Sequence, residues 1–409
     1  MSEWKKVKLG EICERVTSGG TPKANVSSYY NPPTIPWLKT KEVNYCRITE
    51  TENYISEEGL KNSSAKLISP NSVIIAMYGQ GDTAGRIAIN KIPLATNQAC
   101  CNLTIDKSKA DYEFIYYQLC TLYDKLVSLK AGAAQPNLNA RIIKNLEIIM
   151  PSLPIQHRIA SILSRYDSLI ENYQKQIKLL EEAAQRLYKE WFIDLHFPGH
   201  ENTNIIDGVP EGWEKKTIDD VTCKITTGLN PRKNFVLGKG SNYYVTIKNM
   251  ADNTLFLDDR CDRVDNEALE KINKRSDLKI GDILFSGIGT IGRVALVYIP
   301  TNNWNVSESV FTLRANDIVT KEFLYLMLLS PDMQNYCQSN AHGAAQKGIR
   351  MADLKAYSFN LPPFGVIQKF TNLVTPTIKK VSSIRNQIRL LTEARDRLLP
   401  KLMSGEIAV

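Results

Sequence analysis

Asn31-Pro-Pro-Thr34 begins like a loop that grips the amino group of a flipped adenine during methyl transfer, but the aromatic residue that would stack on the base is missing. No Gly-rich strand-to-helix turn for a methyl donor accompanies it, so a plain turn is expected. Gly287-x-Gly289-x-x-Gly292 fits a dinucleotide fingerprint by letter. The next residues, Arg293-Val-Ala-Leu-Val-Tyr298, read as a strand, whereas a pyrophosphate needs a helix N-terminus there. The counterpart Gly79-Gln-Gly-Asp-Thr-Ala-Gly85-Arg86 fails as a phosphate loop, because Arg86-Ile87 stands where Lys-Ser or Lys-Thr is required. Both stretches read as tight hairpin turns. His157, His196, His200 and His342 have neither metal-ligand spacing nor a nucleophile beside them. Of the eight cysteines only Cys100 and Cys101 are adjacent, and no Cys-x-x-Cys pair is formed, which reads as reduced thiols in a cytoplasm. No catalytic residue and no metal ligand is assigned, and no cofactor is expected on this chain.

The remaining candidates are polar donors in turns and loops, the kind that read base edges or hold phosphates of double-stranded DNA. In the first half they are Thr17, Ser18, Lys23, Lys39, Lys41, Gln80, Thr83, Arg86, Gln98, Gln135 and Asn137. In the second they are Thr227, Arg232, Lys233, Lys248, Thr290, Arg293, Glu308, Gln346 and Lys347. Gly followed by Arg recurs at residues 85 and 292, and suits a loop that approaches a phosphate or a base edge. Net charge adds little: of the formal +8, six units sit between Phe364 and Gly405, where eight basic residues face two acidic ones.

These donors recur because the chain repeats itself. Trp4 through Gly19 aligns with Trp213 through Gly228 at an offset of 209, which Pro22 and Pro231 keep. Gly132-Ala-Ala-Gln135 aligns with Gly343-Ala-Ala-Gln346, and Ile177-Lys-Leu-Leu-x-Glu-Ala with Ile388-Arg-Leu-Leu-x-Glu-Ala, both at 211. A period of half the chain fixes the organisation as domain, helix, domain, helix. Within each copy, Ser72–Tyr78 with Arg86–Ile89, and Asp282–Ser286 with Arg293–Tyr298, read as hairpins. Asp111–Leu129 and Lys321–Gln338 read as helices, making each copy mixed α+β and strand-rich. The copies diverge at their loops, as in Pro136-Asn-Leu against Lys347-Gly-Ile, which suggests different targets on one scaffold.

Between and after the domains lie the elements that must space them. Ile159, Ile162, Tyr166, Leu169, Tyr173, Ile177, Leu180, Ala184, Leu187 and Trp191 advance by threes and fours, a coiled-coil seam with one stutter. The matching stretch has Ile384, Ile388, Leu391, Leu398 and Leu402, with Arg395 in the place of Ala184. Two such helices in one chain are expected to pair as an antiparallel coiled coil, with a pseudo-two-fold axis between the domains. With 409 residues, 43% hydrophobic and 23% charged, the chain has the composition of a multidomain globular protein. No apolar run of about 18 residues and no secretory start is seen, so no membrane contact is expected.

Taken in order, the blocks resemble the specificity subunit of type I restriction-modification systems along nearly the whole chain. The resemblance rests on Leu153-Pro-Ile-Gln156-His-Arg-Ile159 opening the first helix, and on Trp191-Phe-Ile-Asp194 with Phe197-Pro-Gly199 closing it. Val209-Pro-Glu-Gly-Trp213 then starts the second domain, and Leu402-Met-Ser-Gly-Glu-Ile407 ends the chain. Ile155 and Ile367 stand where the family carries an acidic residue before the helix's Gln. The resemblance implies recognition domains at 1–152 and 213–362, coiled-coil helices at 153–193 and 363–409, and a linker at 194–212. It implies a non-catalytic subunit whose domains each read one half of a split, asymmetric DNA site while the helices act as a ruler. Readers one DNA turn apart would sit about 34 to 36 Å from each other. It further implies two methyltransferase subunits and motor-nuclease subunits as partners, which carry S-adenosylmethionine, ATP and Mg2+, in a bacterial or archaeal cytoplasm.

Overall fold

The computed structural model describes residues 4–79, 81–130, 137–251, 253–343 and 347–409. The chain forms two compact units, Met1–Glu171 with Leu390–Val409, and Asn172–Arg389, and the division falls inside both long helices. Each unit therefore holds one repeat copy with a segment of each helix.

In the first unit the strands Cys13–Ser18, Cys100–Ile105, Val73–Ala76, Ile87–Asn90 and Cys46–Ile48 lie side by side in that order. The Val73–Ala76 and Ile87–Asn90 strands are buried along their whole length, which explains why they read as continuous apolar runs rather than as alternation. They pair antiparallel, as the expected hairpin. The second unit repeats this order with Thr222–Thr227, Val310–Ala315, Ile283–Ser286 and Val294–Leu296. A parallel pairing recurs too: Ile35–Leu38 runs beside Leu94–Thr96, and Asn242–Val245 beside Trp304–Val306. Two unlike sequences thus build one sheet topology, and the mixed, strand-rich class holds in both copies.

The first and last strands of each copy pair with each other, Lys5–Lys8 with Glu147–Met150 and Glu214–Thr217 with Ser358–Leu361. One glycine is dictated by the packing. A side chain on Gly19 would overlap the Thr96 carbonyl oxygen, and one on its equivalent Gly228 would overlap the Val306 carbonyl oxygen.

Each expected domain helix is broken into two. Tyr112–Thr121 ends at Leu122 and Tyr123–Ser128 follows, while Lys321–Leu328 is followed by Pro331–Ser339. The second break has a clear cause: Pro331 cannot donate a backbone hydrogen bond and opens a new helix, with the Ser330 hydroxyl capping it by accepting from Met333 N.

The long helices run Leu153–Phe192, 40 residues, and Phe364–Ser404, 41 residues. At about 1.5 Å per residue each spans roughly 60 Å. In the second unit they lie antiparallel: Trp191 packs on Phe370 with ring centres 5.7 Å apart, and Glu181 accepts a 2.6 Å ion pair from Arg385. The expected seam is only partly the buried face. Ile159, Trp191, Ile384 and Leu402 are buried, but Leu169 is 47% exposed, and Leu163, Ile170, Tyr188 and Phe192 are buried instead. The cause is that each helix also packs on its own domain. Ile159 and Leu163 join the core that contains Phe114 and Ile148, so the buried stripe is wider and rotated from a two-helix seam. The same holds for Ile367, Phe370, Val374 and Ile378, whose burial carries the second helix straight through Pro376.

Charge ties the first domain to its helices. The Arg47 side chain, 6% exposed, binds Glu113 at 2.5 Å and Asp167 at 2.8 Å, and Arg395 reaches the other Asp167 oxygen at 2.8 Å. The Tyr117 hydroxyl donates to Asp167 as well. Burial opposes the Asp167 charge, but the hydrogen bonds from Tyr117 and Arg395 and the Arg47 charge outweigh it and hold the carboxyl below its usual value. A carboxyl lowered on folding contributes stability above its unfolded pKa and loses it as pH falls through the folded one. Asp167→Asn is therefore expected to cost about 3 to 5 kcal/mol at neutral pH, read by urea unfolding. The gap to wild type should shrink once the pH drops below about 4; a gap independent of pH would show that packing, not charge, sets the loss.

Candidate nucleic-acid interface

The two hairpin turns share their backbone. Gly85 and Gly292 both have positive φ, 95° and 88°, and both donate from N to the last residue of the preceding strand, Ala76 O and Ser286 O. The arginines after them go separate ways. Arg86 pairs with the exposed Asp82 at 2.6 Å, at the edge of the turn. Arg293 turns inward, its guanidinium donating to the backbone carbonyls of Ile247 and Met250. A shared Gly-Arg pair thus supports a surface ion pair in one copy and a structural clamp in the other.

Around the first turn lie Tyr45 and Tyr123, ring centres 6.3 Å apart, with the Tyr123 hydroxyl donating to the Asp82 carbonyl at 2.8 Å. A second group forms where Gly20 meets the Leu94–Thr96 strand. Trp37 Nε1 donates to Gly20 O at 3.1 Å, Lys39 lies 5.0 Å from the Trp37 ring centre and donates to Asn53, and the Thr21 hydroxyl bonds Gln98. Lys39 and Gln98 are thereby brought together, with the exposed Lys23 on the same loop. Lys41 is exposed and paired with Glu52. Thr17 and Ser18 lie on the edge strand of the large sheet, Ser18 exposed. Thr83 stands on the turn and packs against Gly79, and Asn137 is half-buried just before Leu138, whose N donates to Met77 O.

In the second copy, Arg232 and Lys233 are exposed on the short helix Pro231–Asn234, capped by Asn230. Lys248, Thr290 and Lys347 are exposed, and Gly289 N donates to Lys347 O at 2.7 Å, which sets Lys347 beside the hairpin turn. Besides Arg293, two candidates are held within the fold. Thr227 is buried and accepts from Arg275, and Glu308 accepts from the Asn230 amide at 2.8 Å and the Tyr244 hydroxyl at 3.1 Å. Gln80, Gln135 and Gln346 lie outside the described residues, as do residues 132–135 and 344–346 of the repeated Gly-Ala-Ala-Gln blocks. Asn31-Pro-Pro-Thr34 is a bend, with Thr34 N donating to Pro32 O. Among the described residues no group of His, Cys, Asp or Glu could hold a metal ion, and no helix is long and apolar enough to cross a membrane. Sequence reasoning missed Arg47 and Tyr45: each stands in a stretch without periodicity, and only the fold brings them to their partners.

Two copies of one strand-rich domain, each bearing its own loop donors and each joined to a pair of long helices, define a two-headed recognition protein. The chain belongs to the family of the type I restriction modification DNA specificity domain, matched at residues 1–182 and again at 210–388. It is 29% identical to the type I restriction enzyme MjaIX specificity subunit of Methanocaldococcus jannaschii, over the whole chain and 94% of that protein. With the HindI specificity subunit of Haemophilus influenzae it shares 22% identity over the full length of both. The crystal structure of the type I restriction-modification S subunit from M. genitalium has the same fold, with a TM-score of 0.62 at 18% identity, covering 98% of this chain and 96% of that one.

Substitution separates the two turn arginines. Arg293→Ala is expected to lower stability by about 1 to 3 kcal/mol, since two part-buried carbonyls lose their donor. Arg86→Ala should leave the unfolding midpoint near that of wild type and reduce DNA binding instead. Parallel urea melts and duplex titrations of the two variants check this, and equal melts would refute the division.

Proposed function

We propose that this chain is the DNA sequence-specificity subunit of a type I restriction-modification complex, in which each domain reads one half of a bipartite, asymmetric double-stranded site. The observation that carries the reading is the pair of same-order sheets whose matched turns use the same arginine differently, Arg86 in a surface ion pair and Arg293 turned inward. One scaffold with unlike loops suits two unlike half-sites. Recognition residues at 1–152 and 213–362 would divide the reading, the exposed donors Lys23, Arg232, Lys233, Lys248, Thr290 and Lys347, together with Gln98 beside Thr21, meeting phosphates and base edges. The helices at 153–193 and 363–409 would set the spacer and dock two methyltransferase subunits. Catalysis belongs to those partners and to motor-nuclease subunits. S-adenosylmethionine, ATP and Mg2+ would be bound by them, in the cytoplasm where the DNA lies. A methyltransferase acting alone is the competing reading, and methyl transfer by the purified chain would revive it.

Mapping methylated sites in cells that express the system should return two unlike half-sites across a fixed spacer. The purified chain should then prefer a duplex with that site over a scrambled one at every salt concentration, although both affinities fall as salt rises. Equal affinity for both duplexes would overturn the proposal. Removing the seven residues Tyr173–Leu179 should change the spacer in the mapped site or abolish assembly. Unchanged spacing with intact assembly would refute the ruler.

A further inference from the structure

The turn around Arg86 has three features that folding alone does not require. Tyr45 is a bulky aromatic at φ 52°, a backbone region costly for such a residue, and its side chain is nevertheless exposed. Its ring stands edge-on to Tyr123, and Tyr123 in turn packs above Gly85 and bonds the Asp82 carbonyl. Asp82 presents a carboxylate whose side chain is 74% exposed, and that carboxylate holds Arg86. Burial raises the Tyr45 hydroxyl to about 12, with Arg86 opposing the shift, and Tyr123, beside Tyr45 and bonded to the Asp82 carbonyl, joins the ring to the turn that carries Arg86. At the matched turn of the second domain the arginine is bonded to the Ile247 and Met250 carbonyls and is not available.

Resting on the reading of this chain as a DNA specificity subunit, we propose that Tyr45, Arg86 and Asp82 form a gated reading site of the first domain for its double-stranded half-site. Tyr45 lays its ring on apolar groove surface, a thymine methyl or a deoxyribose, while Arg86 supplies the charged donor. Asp82 is the gate. In the free chain it neutralises Arg86, and against any duplex its exposed carboxylate faces phosphate of like charge. A non-cognate duplex offers Arg86 nothing better than Asp82, so the pair stays closed and binding is penalised. The cognate half-site offers Arg86 a bidentate acceptor such as guanine, and the exchange becomes favourable. Discrimination here arises from repulsion as much as from contact, and it belongs to one half-site only.

The test uses the full chain with a duplex carrying the mapped site, a scrambled duplex, and duplexes with one half scrambled. Asp82→Asn keeps the shape of the side chain and removes its charge. It should tighten binding to the scrambled duplex severalfold, steepen the slope of log K against log salt by about 0.9 as Arg86 takes up one phosphate, and reduce discrimination at the first half alone. Tyr45→Ala should weaken the mapped site roughly 5- to 150-fold without touching preference at the second half, and Tyr45→Phe should restore binding. If Asp82→Asn leaves scrambled-duplex affinity and salt slope at wild-type values, or if Tyr45→Ala binds the mapped site as well as wild type, the gated site is wrong. A wild-type chain that cannot tell the mapped site from the scrambled duplex would instead refute the specificity-subunit reading itself.

Discussion

A buried guanidinium organises the first unit. Arg47 lies on a strand at the edge of the large sheet, and its partners come from a domain helix through Glu113 and from the first long helix through Asp167. Arg395 of the second long helix completes the set on Asp167. Charges so desolvated are tolerated only when each has a well-placed partner, so domain and helices must meet in one arrangement. The attachment is thus specified by direction as well as by apolar area. In the second unit the positions that the repeat aligns with Asp167 and Arg395 are Ile378 and Ala184, both buried in an apolar core. The same joint is made once by ions and once by packing. Nearby, Arg385 pairs with Glu181 and donates to the Asn253 carbonyl, so ionic fastening is present there too, about two helical turns from Ile378 on one helix and under one turn from Ala184 on the other.

Much of the architecture was legible because repetition and periodicity are properties of the sequence. The offset of 209 to 211 residues gave two domains, and the apolar runs at 72–78 and 282–286 gave the central strands. Strand order was not legible, since pairing depends on partners far apart in the chain. The hairpin turns were recognised correctly because a strand after Gly292 is incompatible with a helix-capped phosphate site.

The side chains around the turns were far less legible. Arg86 and Arg293 occupy the same repeat position, yet only the fold reveals that Ile247 and Met250 present carbonyls to one of them. Glu308 looks like a loop donor or acceptor in sequence, but Asn230 and Tyr244 converge on it. The helix seam was legible only in part. Leu169 fits a two-helix spacing, whereas the helix has a further surface to satisfy in the body of its own domain.

The pairing of Lys5–Lys8 with Glu147–Met150, and of Glu214–Thr217 with Ser358–Leu361, brings each domain's entrance and exit together. The chain between them is a closed loop whose ends are fixed side by side, so its interior can lengthen at little entropic cost. A domain with such a neck behaves as a cassette: its contents can be rewritten or exchanged while the strands at the neck keep their register. Novelty in what the protein reads can then accumulate inside the loop without any change in the frame that carries it.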